Sequence, residues 1–231
     1  MNKITTCKSV GRRPKARGAE VDTRGDVLSA ARCVFAQRGF NGTSVREVAE
    51  VAGVNKAMIY YHFKDKNDLY RAVLSDAFDA LQRVWEHKVF KSDVSARKKI
   101  KAYVDEFIRF QHHNEDIRKI MTMEYSTLGE KSENIQWIAK QYFAKDHATL
   151  VIILKQGMKT GEIKKTDPLM AVVVLIGMII HSFLFVPMSP YIHNRKIKIS
   201  VSKLGSFVTG MFFDGIGVPG YTHPQLRGRR V

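Results

Sequence analysis

Apolar residues recur three and four positions apart through most of this chain, and strand-like alternation is scarce. That spacing marks amphipathic helices. From Thr23 to Gly39 the stripe is Val27, Leu28, Ala31, Val34 and Phe35. Thr23-x-x-Asp26 resembles a capping pair at its start, and Gly39 supplies the stop. Residues 43–63, TSVREVAEVAGVNKAMIYYHF, predict two short helices around a glycine turn. Ser44-x-x-Glu47 is a capping box, and Val45, Val48, Ala49 and Ala52 give the first helix an apolar side. Gly53 can take the positive φ that ends a helix sharply. Asn55 caps the second helix, Lys56 to His62, which Ile59 anchors. A fourth helix starts between Asp65 and Asn67 and runs towards Phe90 on Leu69, Tyr70, Val73, Leu74, Phe78, Leu81 and Trp85.

The same period predicts helices over 94–113, from Asn114 or Asp116 onward, over 133–159, over 169–186 and over about 198–214. Asp167-Pro168 opens the fourth of these as N-cap and first helical residue. A polar loop is expected over Leu128 to Ser132. The fold class is therefore all-α, with about nine helices.

A short helix that buries Ile59 leaves Lys56, Ala57, Met58, Tyr60, Tyr61 and His62 on its free face or edges. A base, hydroxyls and an imidazole facing outward suit a reader of the DNA major groove. The charge agrees. Lys and Arg number 38 against 22 acids, a net +16 with a pI near 9.9. That balance favours an anionic partner: DNA, RNA or a membrane surface. Residues 1–21 carry Lys3, Lys8, Arg12, Arg13, Lys15 and Arg17, with no acid before Glu20. Such an arm can follow phosphates or enter a minor groove, or it can merely solubilise; both readings stay open.

Other chemistry is thin. Two cysteines, Cys7 and Cys33, make a disulfide scaffold unexpected and fit a reducing cytoplasm, with Cys33 a small structural residue. No Cys/His cluster predicts a metal, and no apolar run opens the chain as a secretory signal would. Ser95-x-x-Lys98 and Lys159-Thr-Gly161 match fragments of a serine β-lactamase signature, but its serine-asparagine motif is missing and the Lys-Thr-Gly ends a helix. There is no nucleophile elbow, P-loop or dinucleotide fingerprint, so neither an enzyme nor a cofactor is expected. The stretch 169–186 is nearly all apolar and without formal charge, long enough to span a bilayer. Gly177, His181 and Ser182 favour a buried helix, with a membrane-associated basic helical protein as the alternative.

From Thr23 to about Leu74 the order of elements resembles the DNA-binding domain of the tetracycline-repressor (TetR) family. The matching pieces are Thr-Ser-Val-Arg-Glu-Val-Ala, Ala-Gly-Val, Tyr-Tyr-His-Phe and Lys-Asp-Lys. The resemblance implies a basic arm (1–21), a three-helix helix-turn-helix domain (22–66), a helical ligand-binding and dimerisation domain (67–216) and a basic tail (217–231). It places Ser44, Val45 and Arg46 near the DNA backbone, Asn55 at the head of the reading helix, and Lys56, Ala57 and Met58 facing bases. Tyr60, Tyr61, His62 and Lys66 would pack on or hydrogen-bond the backbone, with Tyr60 also bracing the helix pair. Ala57 and Met58 stand where many members carry glycine and a hydroxyl, which leaves Lys56 as the guanine reader. The implied protein is a cytoplasmic repressor. It would be a homodimer through the helices near 169–186 and 198–214, bound to a palindromic double-stranded operator and released or recruited by a small hydrophobic effector. Phe107, Met121, Tyr125, Trp137, Tyr142 and Phe143 are the candidate lining of that effector's pocket, and each taken singly also reads as ordinary core.

Overall fold

A computed structural model describes residues 22–90, 93–126, 132–198 and 200–216. The basic arm, the basic tail, Cys7 and most of the loop expected at Leu128 to Ser132 lie outside the described residues. The helices are α1 (Thr23–Arg38), α2 (Val45–Ala52), α3 (Lys56–His62), α4 (Lys66–Trp85), α5 (Ala96–His113) and α6 (Glu115–Ser126). They continue with α7 (Glu133–Ile138), α8 (Ala144–Lys159), α9 (Pro168–Phe185), α10 (Ser189–His193) and α11 (Val201–Ile216). A π turn at Glu86–Phe90 extends α4, another at Ala139–Phe143 joins α7 to α8, and a 3-10 turn at Val186–Met188 joins α9 to α10. With those joins counted, the described residues form nine continuous rods, and the fold is all-α.

The chain divides into two compact units, and the division differs from the expected boundary at 66/67. The first unit takes the chain to Asp79 and also Asn114–Trp137, so α6 belongs with the helix pair rather than with the carboxyl-terminal helices. Ala80–His113 and the chain from Ile138 onward make the second. No local signal in α6 announces this. Its stripe of Ile117, Ile120 and Met121 is buried against α1, a partner almost ninety residues earlier in the chain.

In the first unit α1 packs on α2, α3 and α6. Its N-cap is Asp22, whose carboxylate accepts from the Gly25 N–H at 2.8 Å. The expected cap at Thr23 is thus displaced by one residue, because an ionised acceptor stands just before it. The core is Val27, Ala31, Phe35, Val48, Ile59, Leu69, Tyr70 and Leu74, all at most 1% exposed. Tyr70 meets Phe35 and Phe40 edge-on, with ring centroids 4.9 and 5.0 Å away. Its hydroxyl donates to the buried Glu124 carboxylate at 2.6 Å, and burial raises the phenol's pKa well above its ordinary value.

In the second unit α5 packs on α11, α8 and α9. Its first turn is held from a distance. The buried Glu162 carboxylate accepts from the Ala96 N–H at 3.1 Å and the Arg97 N–H at 2.9 Å, satisfying two of the free donors of a helix start. Gly157 lets α8 pass close by. A Cβ there would lie 2.6 Å from Ile163 Cδ1 and 2.9 Å from Ala96 Cβ. Asp146 is also buried, and that lifts its carboxyl to about 6, with the Gln82 hydrogen bond opposing. The protonated form is therefore favoured by folding. Its stabilising share is complete below the ordinary carboxylate range and fades as pH rises through about 6. Asp146→Asn is expected to raise stability at pH 8 and to flatten its decline between about pH 4 and pH 6, as read by denaturant unfolding.

Asp167 caps α9 as expected, accepting from Leu169 N–H at 2.8 Å and Met170 N–H at 3.1 Å, with Pro168 in the first turn. Only one side of α9 is buried: Ala171, Val172, Leu175, Ile179 and Phe183. Leu169, Met170, Val173, Val174, Leu184 and Phe185 face outward. Within one copy α9 is thus a half-covered helix, where the sequence led to the expectation of a buried helix at a subunit interface. An α-helix laid on α5, α8 and α11 can hide only the side that touches them, and among the described residues no element covers the rest. Among the described residues, Pro168–His193 is the helix long and apolar enough to cross a membrane.

Candidate nucleic-acid interface

The capping box at the head of α2 forms as its spacing requires. Ser44 accepts from the Glu47 N–H at 3.2 Å, and the Ser44 N–H donates to Glu47 Oε2 at 3.0 Å. Hydrogen bonding to Ser44 holds the Glu47 carboxyl below its usual pKa, and Arg38 reaches the same group at 2.6 Å, tying α1 to α2. Gly53 ends α2 with φ 69°, a left-handed conformation open to glycine at little cost. Asn55 caps α3 by accepting from the Met58 N–H at 2.8 Å. Two caps and one glycine thus set how α3 leaves α2. Ile59, 1% exposed, then nails it to the core.

What remains outside is the ridge that the spacing foretold. Lys56, Ala57, Tyr60 and Tyr61 are exposed, Tyr61 by 80%. The Lys56 ammonium stands 5.4 Å from the Tyr60 ring centre. Met58 and His62 are half-buried. Arg46 projects from α2, held loosely by its exposed pair with Glu50 at 3.0 Å. Sequence reasoning passed over Arg24, whose guanidinium lies 5.3 Å from the Phe63 ring centre, beside the end of α3. Its only signal was a cation in the first turn of α1, which thousands of helices share.

Five of the expected contact residues make other contacts in the structure. Val45 is buried at 9% exposure, so its side chain belongs to the core of the helix pair. Ser44 and Asn55 are exposed, and their side chains serve as caps. His62 turns Nε2 inward, buried and without a hydrogen-bond partner, so that nitrogen does not reach a phosphate. Lys66 was expected on a phosphate. Its ammonium instead donates to the Thr43 carbonyl at 2.9 Å and sits 4.3 Å from the Phe40 ring centre. Burial draws its pKa below the ordinary lysine value. Lys66 therefore pins the start of α4 to the chain entering α2. Lys66→Ala is expected to cost about 1–3 kcal/mol of stability and to leave the salt dependence of DNA binding unchanged. A shallower salt slope with an unaltered melting point would return Lys66 to a phosphate.

The six candidate effector residues do not gather in one unit. Met121, Tyr125 and Trp137 belong to the first, and Phe107, Tyr142 and Phe143 to the second. Trp137 lies under the Arg71 guanidinium at 5.2 Å, and burial raises the Tyr125 pKa. Phe107 joins Trp85 and Tyr103 in an aromatic cluster, with centroids at 5.8 and 5.9 Å. The Trp85 indole N–H in that cluster is buried with no acceptor. None of the six borders either of two cavities, about 420 Å³ on α9 and α11 and about 500 Å³ in the first unit. Helical periodicity shows that such residues face inward. It does not show which neighbour they meet, and here a unit boundary runs through the set.

Residues 27–73 match the description of bacterial regulatory proteins of the tetR family, and that span is the helix pair with the helices on either side. Residues 27–73 are thus a tetR-type DNA-binding domain. It is 28% identical over 144 residues to the "Probable HTH-type transcriptional regulator YttP" of Bacillus subtilis, covering 62% of this chain and 68% of that protein. To the HTH-type transcriptional activator FasR of Mycolicibacterium smegmatis it is 34% identical over 107 residues, 46% of this chain and 48% of FasR. The chain thus spans about half the length of FasR. The fold matches the transcriptional regulator FadR of Bacillus subtilis, solved in complex with stearoyl-CoA. That TM-score is 0.67 at 21% identity, over 84% of this chain and 99% of FadR. The chain carries a helix-turn-helix DNA-binding domain of tetR type, with α2 and α3 as its helix pair, and the relatives it resembles are transcription regulators.

Proposed function

We propose that this protein is a cytoplasmic homodimeric repressor of the tetR family that reads a palindromic operator and changes its grip when a small hydrophobic effector binds. The observation that carries the reading is the exposed α3 ridge. Lys56, Tyr60 and Tyr61 stand free on a helix whose opposite side is sealed by Ile59. In a major groove Lys56 reaches guanine acceptors, Ala57 offers an apolar contact for a thymine methyl, and Tyr61 and Arg46 set register on phosphates. Two such ridges fit half-sites about 34–36 Å apart.

The outward faces of α9 and α11 support the homodimer. Phe207 and Met211 on α11 are 66% and 60% exposed, and Val173, Val174 and Phe185 on α9 add to the same kind of surface. A second copy would take this apolar area out of water. The membrane alternative is weaker. The buried side of α9 rests on α5 and α8, which carry Arg97, Lys98, Lys99, Lys101, Lys145 and Lys155, and such helices do not enter a bilayer core. Coupling to an effector would run along α4, one helix that begins in the first unit and ends in the second. The effector must favour one setting of α4 over the other to shift anything. FadR's stearoyl-CoA supports an apolar effector class. FasR's role as an activator shows that relatives differ in sign, and operator position decides that sign.

Selecting bound fragments from randomised duplex DNA tests the reading. A palindromic consensus is expected, and Lys56→Ala should cost about 1–3 kcal/mol against it while relaxing preference at one position of each half-site. Uniform weakening across all sequences would move Lys56 to the phosphate backbone. No preference for any duplex would end the proposal.

A further inference from the structure

The outward side of α9 is one continuous stripe. Met170, Val174, Gly177, His181, Phe185 and Met188 follow each other three or four residues apart, and all are exposed. No Asp, Glu, Lys or Arg occurs in α9, so His181 is the one side chain on that helix able to change charge near neutral pH. It stands near the middle of the stripe. Its ring stacks on Phe185 with centroids 4.0 Å apart, and it shares a cavity of about 420 Å³ with Phe207 and Met211 of α11. Nine large apolar side chains on α9, the turn after it and α11 are between 36% and 66% exposed. At roughly 100 Å² apiece they present on the order of 900 Å², about what one partner gives to a standard interface. A second copy of this chain is the occupant that such a face fits.

We infer that protonation of His181 drives the two copies apart, so that acidification loosens the homodimer. The inference rests on the homodimer reading given above and deepens it. In a single copy the imidazolium is hydrated; in the pair it is set among apolar side chains, which disfavours the charged form. The pair therefore binds fewer protons than two separate copies, and association weakens as pH falls through the imidazole range, about 8 to 5. The surrounding charges point the same way. His193 borders the same cavity, Arg195, Lys196 and Lys198 follow it, and Lys203 lies in the first turn of α11. The acids of α9 to α11 and their joins are Asp167, which caps α9, and Asp214, one turn beyond Met211. α5 and α8 pack on the buried side of α9. Of their acids, Asp105 pairs with Lys101 and Glu106 with Arg109, each at 2.6 Å, and Asp146 is buried. Their other charged groups are cations, and His147 on α8 is held neutral by burial. None of these acids borders the cavity that His181 lines.

Sedimentation equilibrium of the full chain at pH 7.5 and pH 5.5, at one salt concentration, tests the inference. The dimer dissociation constant should rise at least tenfold at the lower pH. His181→Leu should keep the dimer and cut that rise to less than threefold, and His181→Gln gives the same reading should the leucine variant fail to fold. His193→Gln should retain the rise. Asp146 titrates in the same range, but inside one copy, and Asp146→Asn should retain the rise as well. An equal constant at both pH values, or an undiminished rise in both His181 variants, would overturn the inference and leave the homodimer standing. So would a tighter dimer at pH 5.5, the sign of a carboxylate such as Asp214 of the second copy meeting His181. A monomer at micromolar concentration at pH 7.5 would overturn the homodimer reading and the inference with it.

Discussion

Placing glutamates at Phe207 and Met211 is expected to give a folded monomer that binds its operator about 10²–10⁴-fold more weakly. Both side chains are mostly exposed within one copy, so the double substitution removes little buried packing there. Between two copies it would bury unpaired carboxylates in an apolar contact, which proteins tolerate poorly. The two reading heads would then part. Each head alone keeps its phosphate and base contacts but loses the effective concentration that its twin supplies. Sedimentation reads the first effect and gel-shift titration the second. A dimer of unaltered stability would move the interface elsewhere and leave the apolar strip of α9 and α11 without an occupant. A monomer with undiminished affinity would mean that one head suffices.

The other large effect concerns α3. Ile59→Ala is expected to cost about 2–5 kcal/mol, the range for emptying a buried aliphatic site. Ile59 is 1% exposed on a helix of seven residues, too short to persist without tertiary contacts. Its loss leaves α3 with Asn55 as cap and little apolar grip. Denaturant unfolding should show the loss, and specific DNA binding should fall with it even where most of the protein stays folded. Val201→Ala, on the half-exposed first turn of α11, should cost far less. Equal costs for the two would mean that Ile59 is not the anchor.

The helix pair was legible because its signals are local. Ser44 with Glu47, Gly53, Asn55 and Ile59 each act within a turn or two, and all four appear in the structure as their chemistry dictates. The exposed Lys56 and Tyr61 follow once Ile59 points inward. Misreadings came where a side chain had a choice of distant partners. Lys66 stands at a helix start, where a phosphate would be welcome, yet the Thr43 carbonyl 23 positions earlier takes its ammonium. Glu162 caps α5 from 66 residues away, a partnership that no local pattern announces. The pairing of α6 with α1, and the split of the effector candidates between units, are long-range in the same sense. Periodicity names the inward side of a helix but not the element beyond it.

The π turn at Ala139–Phe143 carries a lesson for anyone transferring residue roles among relatives. A turn with i→i+5 bonds holds one residue more than an ordinary helical turn, so every side chain after it is rotated by roughly 100° from the phase set by α7. A relative lacking that extra residue would align cleanly up to Ile138 and then run one position out of step. Its ligand contacts, copied across by number, would land on the solvent side of α8. Placing the gap inside 139–143 restores the phase, and positions homologous to Leu150, Ile153 and Leu154 then face inward together.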